Sequence, residues 1–177
     1  QKNENYKNRQ TADPEEKCYL PGVPRITYTP SPFQILQFPD RVVFLYEHLH
    51  AMREIFTDGS PHPNLPVEFW MGDSRGRWEG ETLVVDVIQF TSQTWFDRAG
   101  NFHSDALHVI ERYTRTGPQH MLYEATIEDP KVFTRPWKIS LPLYRRLDKN
   151  AQLLEFRCVE FAEELLYGKY RKRPVSP

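Results

Sequence analysis

The chain has 177 residues, 23 Lys and Arg against 24 Asp and Glu, and 14% aromatic residues. That length suits one domain with a sizeable core, and the aromatic content excludes a disordered chain. A net charge of −1 leaves no chain-wide electrostatic footprint for nucleic acid or an anionic surface, and no apolar run approaches the roughly 18–20 residues that cross a bilayer.

Residues 1–25 are polar and then Pro-rich ("CYLPGVPR"), which predicts an extended N-terminal arm laid over a surface. The opening "QKNENYKNRQ" has neither an initiator Met nor an apolar stretch, as a mature protein does after signal-peptide removal. This predicts an exported protein, periplasmic or secreted. In that setting Cys18 and Cys158 form one bridge pinning the arm to the last strand; two free thiols are the alternative.

Residues 26–161 read as short β-branched and aromatic runs: "FQILQF", "RVVFLYEHLHAMREIF", "TLVVDVIQF", "LHVIERYTR", "MLYEATIE", "WKISLPLYRRL" and "LLEFRCVEF". Between them lie turn-rich connectors, among them "TDGSPHPNLP" and "DSRGRWEGE". Several connectors are hairpin-sized, so the expected fold is all-β, an antiparallel barrel of about eight strands. The long run from Arg41 to Phe56 should bend near Glu47–Leu49. Residues 162–177 are expected to form a short helix, with Gly168 as its C-cap, and a basic tail.

Titratable groups interrupt the apolar runs. Glu47, Asp86, Glu111, Glu124 and Glu155 each sit near the middle of a run, and an ionised carboxylate is costly to bury unless it is paired. They either point outward or converge with Arg53, Arg112, Arg157 and the histidines on a polar interior. The convergent arrangement predicts a small-molecule site with His50, His108, Glu47, Asp86 and Glu111 as acid and base groups. Tyr46, Trp78, Trp95 and Arg112 would contact the ligand, Arg112 holding an anionic group. The ligand expected is aromatic or otherwise apolar. No G-x-S-x-G, Walker loop, G-x-G-x-x-G or H-E-x-x-H occurs, so the chemistry expected is proton transfer of the lyase, isomerase or cyclase kind, without cofactor or metal.

Two alternatives come from other classes. "HLHAMRE" resembles the first cupin motif, which implies a metal held by His48, His50 and Glu54 in a metal-dependent enzyme. The other is a structural or interaction module of an exported assembly, forming homo-oligomers through edge strands and aromatic patches.

The phrases "PGVPR", "PFQILQFPDRVVFLYE", "TDGSPHP", "GRWEGETLVVDV", "DRAGNFHSDALHVIERY" and "IEDP" together resemble an uncharacterised family of exported proteins from environmental bacteria, over Cys18 to Glu160. The resemblance implies export, a β-rich domain and no assigned function. His50, Trp78, Glu79, Asp86, His103, Asp105, His108, Glu111 and Arg112 fall at its motif positions. Gly76 and Trp78 in "GRWEG" resemble the lipocalin signature, which implies a calycin-like barrel.

Overall fold

The structure is a computed structural model that describes residues 1–170. The stretch of the expected basic tail from Arg171 onward lies outside the described residues.

Among the described residues, eight strands run in chain order through one sheet. They are β1 (Phe33–Gln37), β2 (Arg41–Tyr46), β3 (Met52–Phe56), β4 (Asp73–Glu79), β5 (Thr82–Ile88), β6 (His108–Gly117), β7 (His120–Glu128) and β8 (Trp137–Tyr144). The sheet curls into a half-barrel and stays open, because β1 and β8 do not pair. This corrects the closed antiparallel barrel read from the sequence. Every neighbouring pair is antiparallel except β3 and β4, which touch in parallel at Phe56 and Arg75. A parallel pair needs a crossover rather than a hairpin. The segment between Phe56 and Asp73 supplies it, carried without a helix over the sheet's outer face.

Two runs differ from expectation. "DSRGRWEGE" supplies β4, since Gly80 adopts a positive φ of 61° and turns the chain tightly into β5. "LLEFRCVEF" is extended but joins no ladder, and its residues stay exposed or half-buried. The long run breaks as expected, at a helical turn over His48–His50 between β2 and β3.

The inner face carries the core. Phe44, Ile55, Val85, Val87, Val109, Tyr123, Ala125 and Ile127 are fully shielded on it. Gly76 in β4 leaves room there: a Cβ at that position would lie 2.7 Å from Ile55 Cγ2. The concave side is closed by the chain itself. Val23, Ile26 and Thr27, the last two in the short helix Arg25–Tyr28, are buried against the sheet. That plug occupies the space a closed barrel would enclose.

The first twenty-five residues are not an extended arm throughout. They form short helical segments over Lys2–Lys7, Arg9–Ala12 and Pro14–Lys17. Asp13 holds Arg25 through a bidentate pair of 3.0 and 2.9 Å, both side chains being buried. Glu15 joins Arg25 and also accepts from His48 Nε2 at 3.1 Å. Burial pushes the Glu15 carboxyl up, but the bond from His48 and the charge of Arg25 outweigh it and hold it below its ordinary range. Cys18 and Cys158 are disulfide-bonded, with Cα atoms 5.8 Å apart. Close by, Phe161 N donates to Glu16 O at 2.7 Å. The chain ends its described part in a helix at Ala162–Tyr167 and a helical turn at Gly168–Tyr170.

Candidate functional site

Antiparallel register places the site. Arg75 in β4 faces Asp86 in β5, and His108 in β6 faces Glu128 in β7, all on the outer face. Their inner-face neighbours Ser74, Val87 and Val109 are buried, which fixes the direction of the outer set by alternation. The crossover then lays His62 over them. Gln89 pins that segment by donating from Nε2 to the carbonyls of Pro63 at 3.0 Å and Leu65 at 2.9 Å.

The result is a chain of alternating carboxylates and imidazoles. His62 Nδ1 lies 2.6 Å from Asp73 Oδ1 and its Nε2 lies 3.2 Å from Asp86 Oδ1. His108 Nε2 approaches the same Asp86 oxygen at 3.1 Å, and its Nδ1 lies 3.6 Å from Glu128 Oε2. Arg75 clamps Asp73 from Nε and Nη2 at 2.7 and 2.9 Å and donates to Ser60 Oγ at 2.6 Å. The Arg75 guanidinium also stacks 4.7 Å from the Phe56 ring centre. Side-chain exposure is 11% at Asp73 and 22% at His62, against 31–41% at Asp86, His108 and Glu128, so one end is more screened than the other.

The chemistry follows from donor counting. An ionised carboxylate only accepts, so His62 bonds Asp73 and Asp86 together only as an imidazolium, with a proton on each nitrogen. The neutral ring keeps one of the two bonds. Ring nitrogens and carboxylate oxygens thus lie within hydrogen-bond reach of one another at Asp73, His62, Asp86 and His108, the geometry a general acid/base group needs.

The other residues expected at one site divide among three places. Asp86 and His108 are in the outer cluster. Arg112 shares their face but is paired with Glu79 at 3.0 Å. Glu111 is inside, fully buried, accepting from Arg53 Nη2 at 2.5 Å, Tyr113 at 2.9 Å and Tyr123 at 2.7 Å. Arg53 also donates from Nε to Ser74 at 3.0 Å. Burial followed by the Glu111 charge pushes the Tyr113 and Tyr123 hydroxyls well above their ordinary range. Tyr46 is buried beside them, 3.4 Å from Thr27 Oγ1.

Glu47 and His50 sit at the rim instead. Glu47 Oε2 accepts from Leu154 N at 2.8 Å, and His50 Nε2 accepts from Phe156 N at 3.1 Å. A cleft of about 410 Å³ lies there, open to solvent, between Leu45, Ala51 and Leu153. Trp78 is half-exposed at the end of β4, and Trp95 is buried in a bridge with Phe102. The cupin-like trio does not assemble. His48 is bonded to Glu15, His50 to the backbone of Phe156, and Glu54 to Arg41 on the outer face. Among the described residues, no group of three His, Cys, Asp or Glu side chains is arranged to hold a metal ion.

Sequence reasoning missed His62, Asp73, Arg75 and Glu128. Two signals stood in the chain: a His between prolines in "SPHPN", and a carboxylate two residues before Arg75 in "DSR". Comparison with protein-family models, with curated proteins and with solved structures finds no match.

Proposed function

We propose that this chain is an exported protein that binds a small molecule on the outer face of β4–β7 and moves protons there without a cofactor. One observation carries the reading: two imidazoles converge on a single oxygen of Asp86, and each has a further carboxylate behind it. Asp86 and His108, at the more exposed end, act as the acid/base pair, and His62 with Asp73 positions Asp86 from the screened end. Ile88 and Ile110, half-buried on the same face, offer an apolar floor for an aromatic or apolar ligand. The disulfide supports the exported setting.

The test combines imidazole ¹⁵N titrations with a fragment screen read by backbone amide shifts, on wild type and Asp86→Asn. The expected result is that His62 and His108 respond to each other's protonation in the wild type and not in the variant. Fragments should shift residues 60–62, 86–88 and 108–110. Independent titration of the two rings, or fragments that gather only at the rim cleft, would overturn the proposal.

A second reading has its own observation. Among the described residues, no strand pairs with the outer edge of β1 or of β8, and such edges suit an interaction module of an exported assembly. A wild-type oligomer in light scattering that a proline in β8 reduces to monomer would favour it.

A further inference from the structure

Residues 153–156, beyond β8, form a strap held by side chains instead of a ladder. Leu154 N donates to Glu47 Oε2 at 2.8 Å, and Phe156 N donates to His50 Nε2 at 3.1 Å. Both acceptors belong to one short turn between β2 and β3. The Phe156 ring packs on the His48 imidazole, with ring centres 4.8 Å apart. Two residues further on, Cys158 ties the strap to Cys18. Leu153, Leu154 and Glu155 thereby form one wall of the rim cleft that Leu45 and Ala51 also line. The turn itself is strained: Leu49 and His50 have φ of 56° and 50°, left-handed values without glycine. Such strain persists where surrounding contacts hold it, and here those contacts include the strap.

The two histidines of the turn respond differently to a proton. To accept from an amide, His50 Nε2 must present a lone pair, so the ring is neutral with its hydrogen on Nδ1. The imidazolium carries a hydrogen on both nitrogens, and Nε2–H then meets Phe156 N–H, donor against donor. His48 has no such conflict. Its Nε2 meets the Glu15 carboxylate at 3.1 Å, which accepts from the neutral ring and the imidazolium alike. His50 is exposed, so protons reach it from solvent. Glu47 from its own turn and Glu155 from the strap line the same cleft, and both are acceptors for a displaced imidazolium. The cation on the strap, Arg157, is 81% exposed and bonded to Glu155 at 2.8 Å. On the arm, Glu15 is held by Arg25 and His48. Tyr46 also lines the cleft, and burial pushes its hydroxyl up, so it stays uncharged.

We propose that residues 153–156 are a pH-operated strap, latched over the rim cleft by neutral His50 and released when that ring takes up a proton. Release is local, because β8 holds one end of the segment and the bridge at Cys158 holds the other. Between them the Glu47 anchor at Leu154 is then left alone in solvent, and the cleft loses a wall. Histidine ordinarily changes charge between about pH 5 and 8, so the strap is docked at the upper end of that window and open at the lower. The latch shares no residue with the outer-face cluster, so the two proposals stand or fall separately.

The experiment is amide hydrogen exchange of the full chain at pH 8 and pH 5, expressed as protection so that the intrinsic pH dependence of exchange cancels. His50→Gln and His48→Gln are run beside the wild type, with circular dichroism to check that each keeps the fold. In the wild type, protection at Phe156 should fall about five- to tenfold on acidification, and protection at Leu154 should fall with it. His50→Gln offers an acceptor that does not titrate, so its strap should stay docked at both pH values. His48→Gln should respond like the wild type. A second readout needs no variant: the His50 ring and the Phe156 amide, followed by ¹⁵N shifts, should share one midpoint. Protection at Phe156 that is independent of pH, or that falls equally in His50→Gln, would overturn the proposal. So would a response lost only in His48→Gln, or a His50 ring that titrates without moving the Phe156 amide. Full protection kept at Leu154 would also overturn it, because one bond and not a strap would then have moved.

Discussion

His62 Nε2 lies 3.2 Å from Asp86 Oδ1, which joins the proline-flanked crossover to the middle of β5. The parallel step from β3 to β4 makes this contact available. A hairpin there would have kept the connection at the sheet edge, whereas the crossover must travel back over the outer face. His62→Ala, Asp86→Ala and the double variant, compared by urea unfolding, should show a coupling of about 0.5–1 kcal/mol for this half-exposed pair. Strict additivity would mean that the contact contributes nothing in solution.

The interior should be far less tolerant. Glu111→Gln keeps the shape but leaves Arg53 as an unpaired charge beside a buried Nη1 that already lacks a partner. The expected loss is about 3–5 kcal/mol. The Arg53→Met/Glu111→Leu double variant should recover only part of it, because an apolar pair of similar volume avoids the desolvation of both charges but takes from the buried Tyr113 and Tyr123 hydroxyls the acceptor they share. Urea midpoints of the three proteins settle the comparison. A loss under 1 kcal/mol for Glu111→Gln would show that water reaches the pair.

Acid should weaken the fold first through His103. Burial holds its imidazole below the ordinary value of 6.5, while Nδ1 donates to the Ser104 carbonyl at 2.9 Å and Thr94 lies 2.6 Å from Nε2. The folded state therefore binds fewer protons than the unfolded chain just below pH 6.5, and stability falls as pH drops through that window. Glu15 acts later. Its carboxyl is held below 4.5, so its contribution is present above that pH and is lost as pH falls through the lowered folded value. Unfolding midpoints measured from pH 7.5 down to pH 5 should slope downward in the wild type and flatten in His103→Gln. An equal slope in both would place the acid sensitivity elsewhere.

The strands were legible in the chain more than their connections were. The β-branched and aromatic runs marked seven of the eight strands, including the bend at His48–His50. β4 escaped because Asp, Gly and Glu are depleted in strands and Trp78 is its one strong strand former. It is a strand because it pairs along its whole length with β5. That omission hid the outer cluster as well. Without β4 there is no register to set Arg75 opposite Asp86, and no crossover to bring His62 across. Asp86 and His108 were named from their places in apolar runs, and they do meet. Glu47, His50 and Glu111 carried the same local signal but ended at the rim and in the core. Local spacing reports which face a residue shares, and only pairing reports which strands lie side by side.

Disulfide removal gives the largest single effect expected outside the core. Cys18 and Cys158 are 140 residues apart, so the cross-link restricts nearly the whole unfolded chain. Chain-entropy reasoning sets the stabilisation near 5 kcal/mol for a loop of that size. Cys18→Ser/Cys158→Ser should lose most of that in urea, with the sheet's circular dichroism kept at low denaturant. A variant as stable as the wild type would mean that the ion-pair contacts of the arm already fix it.

With that bridge closed, residues 18–158 form a ring, and the ring has no privileged beginning. The backbone bond between Phe161 and Glu16 brings the two sides of the seam together, so a short linker could replace it. New ends could then be cut at the tight β6–β7 turn between Gly117 and His120. A permuted chain of this kind would present its strands to folding in a new order while keeping every ladder except the severed turn. The half-barrel is in that sense a circular object, and the order in which its strands emerge is separable from the shape they make.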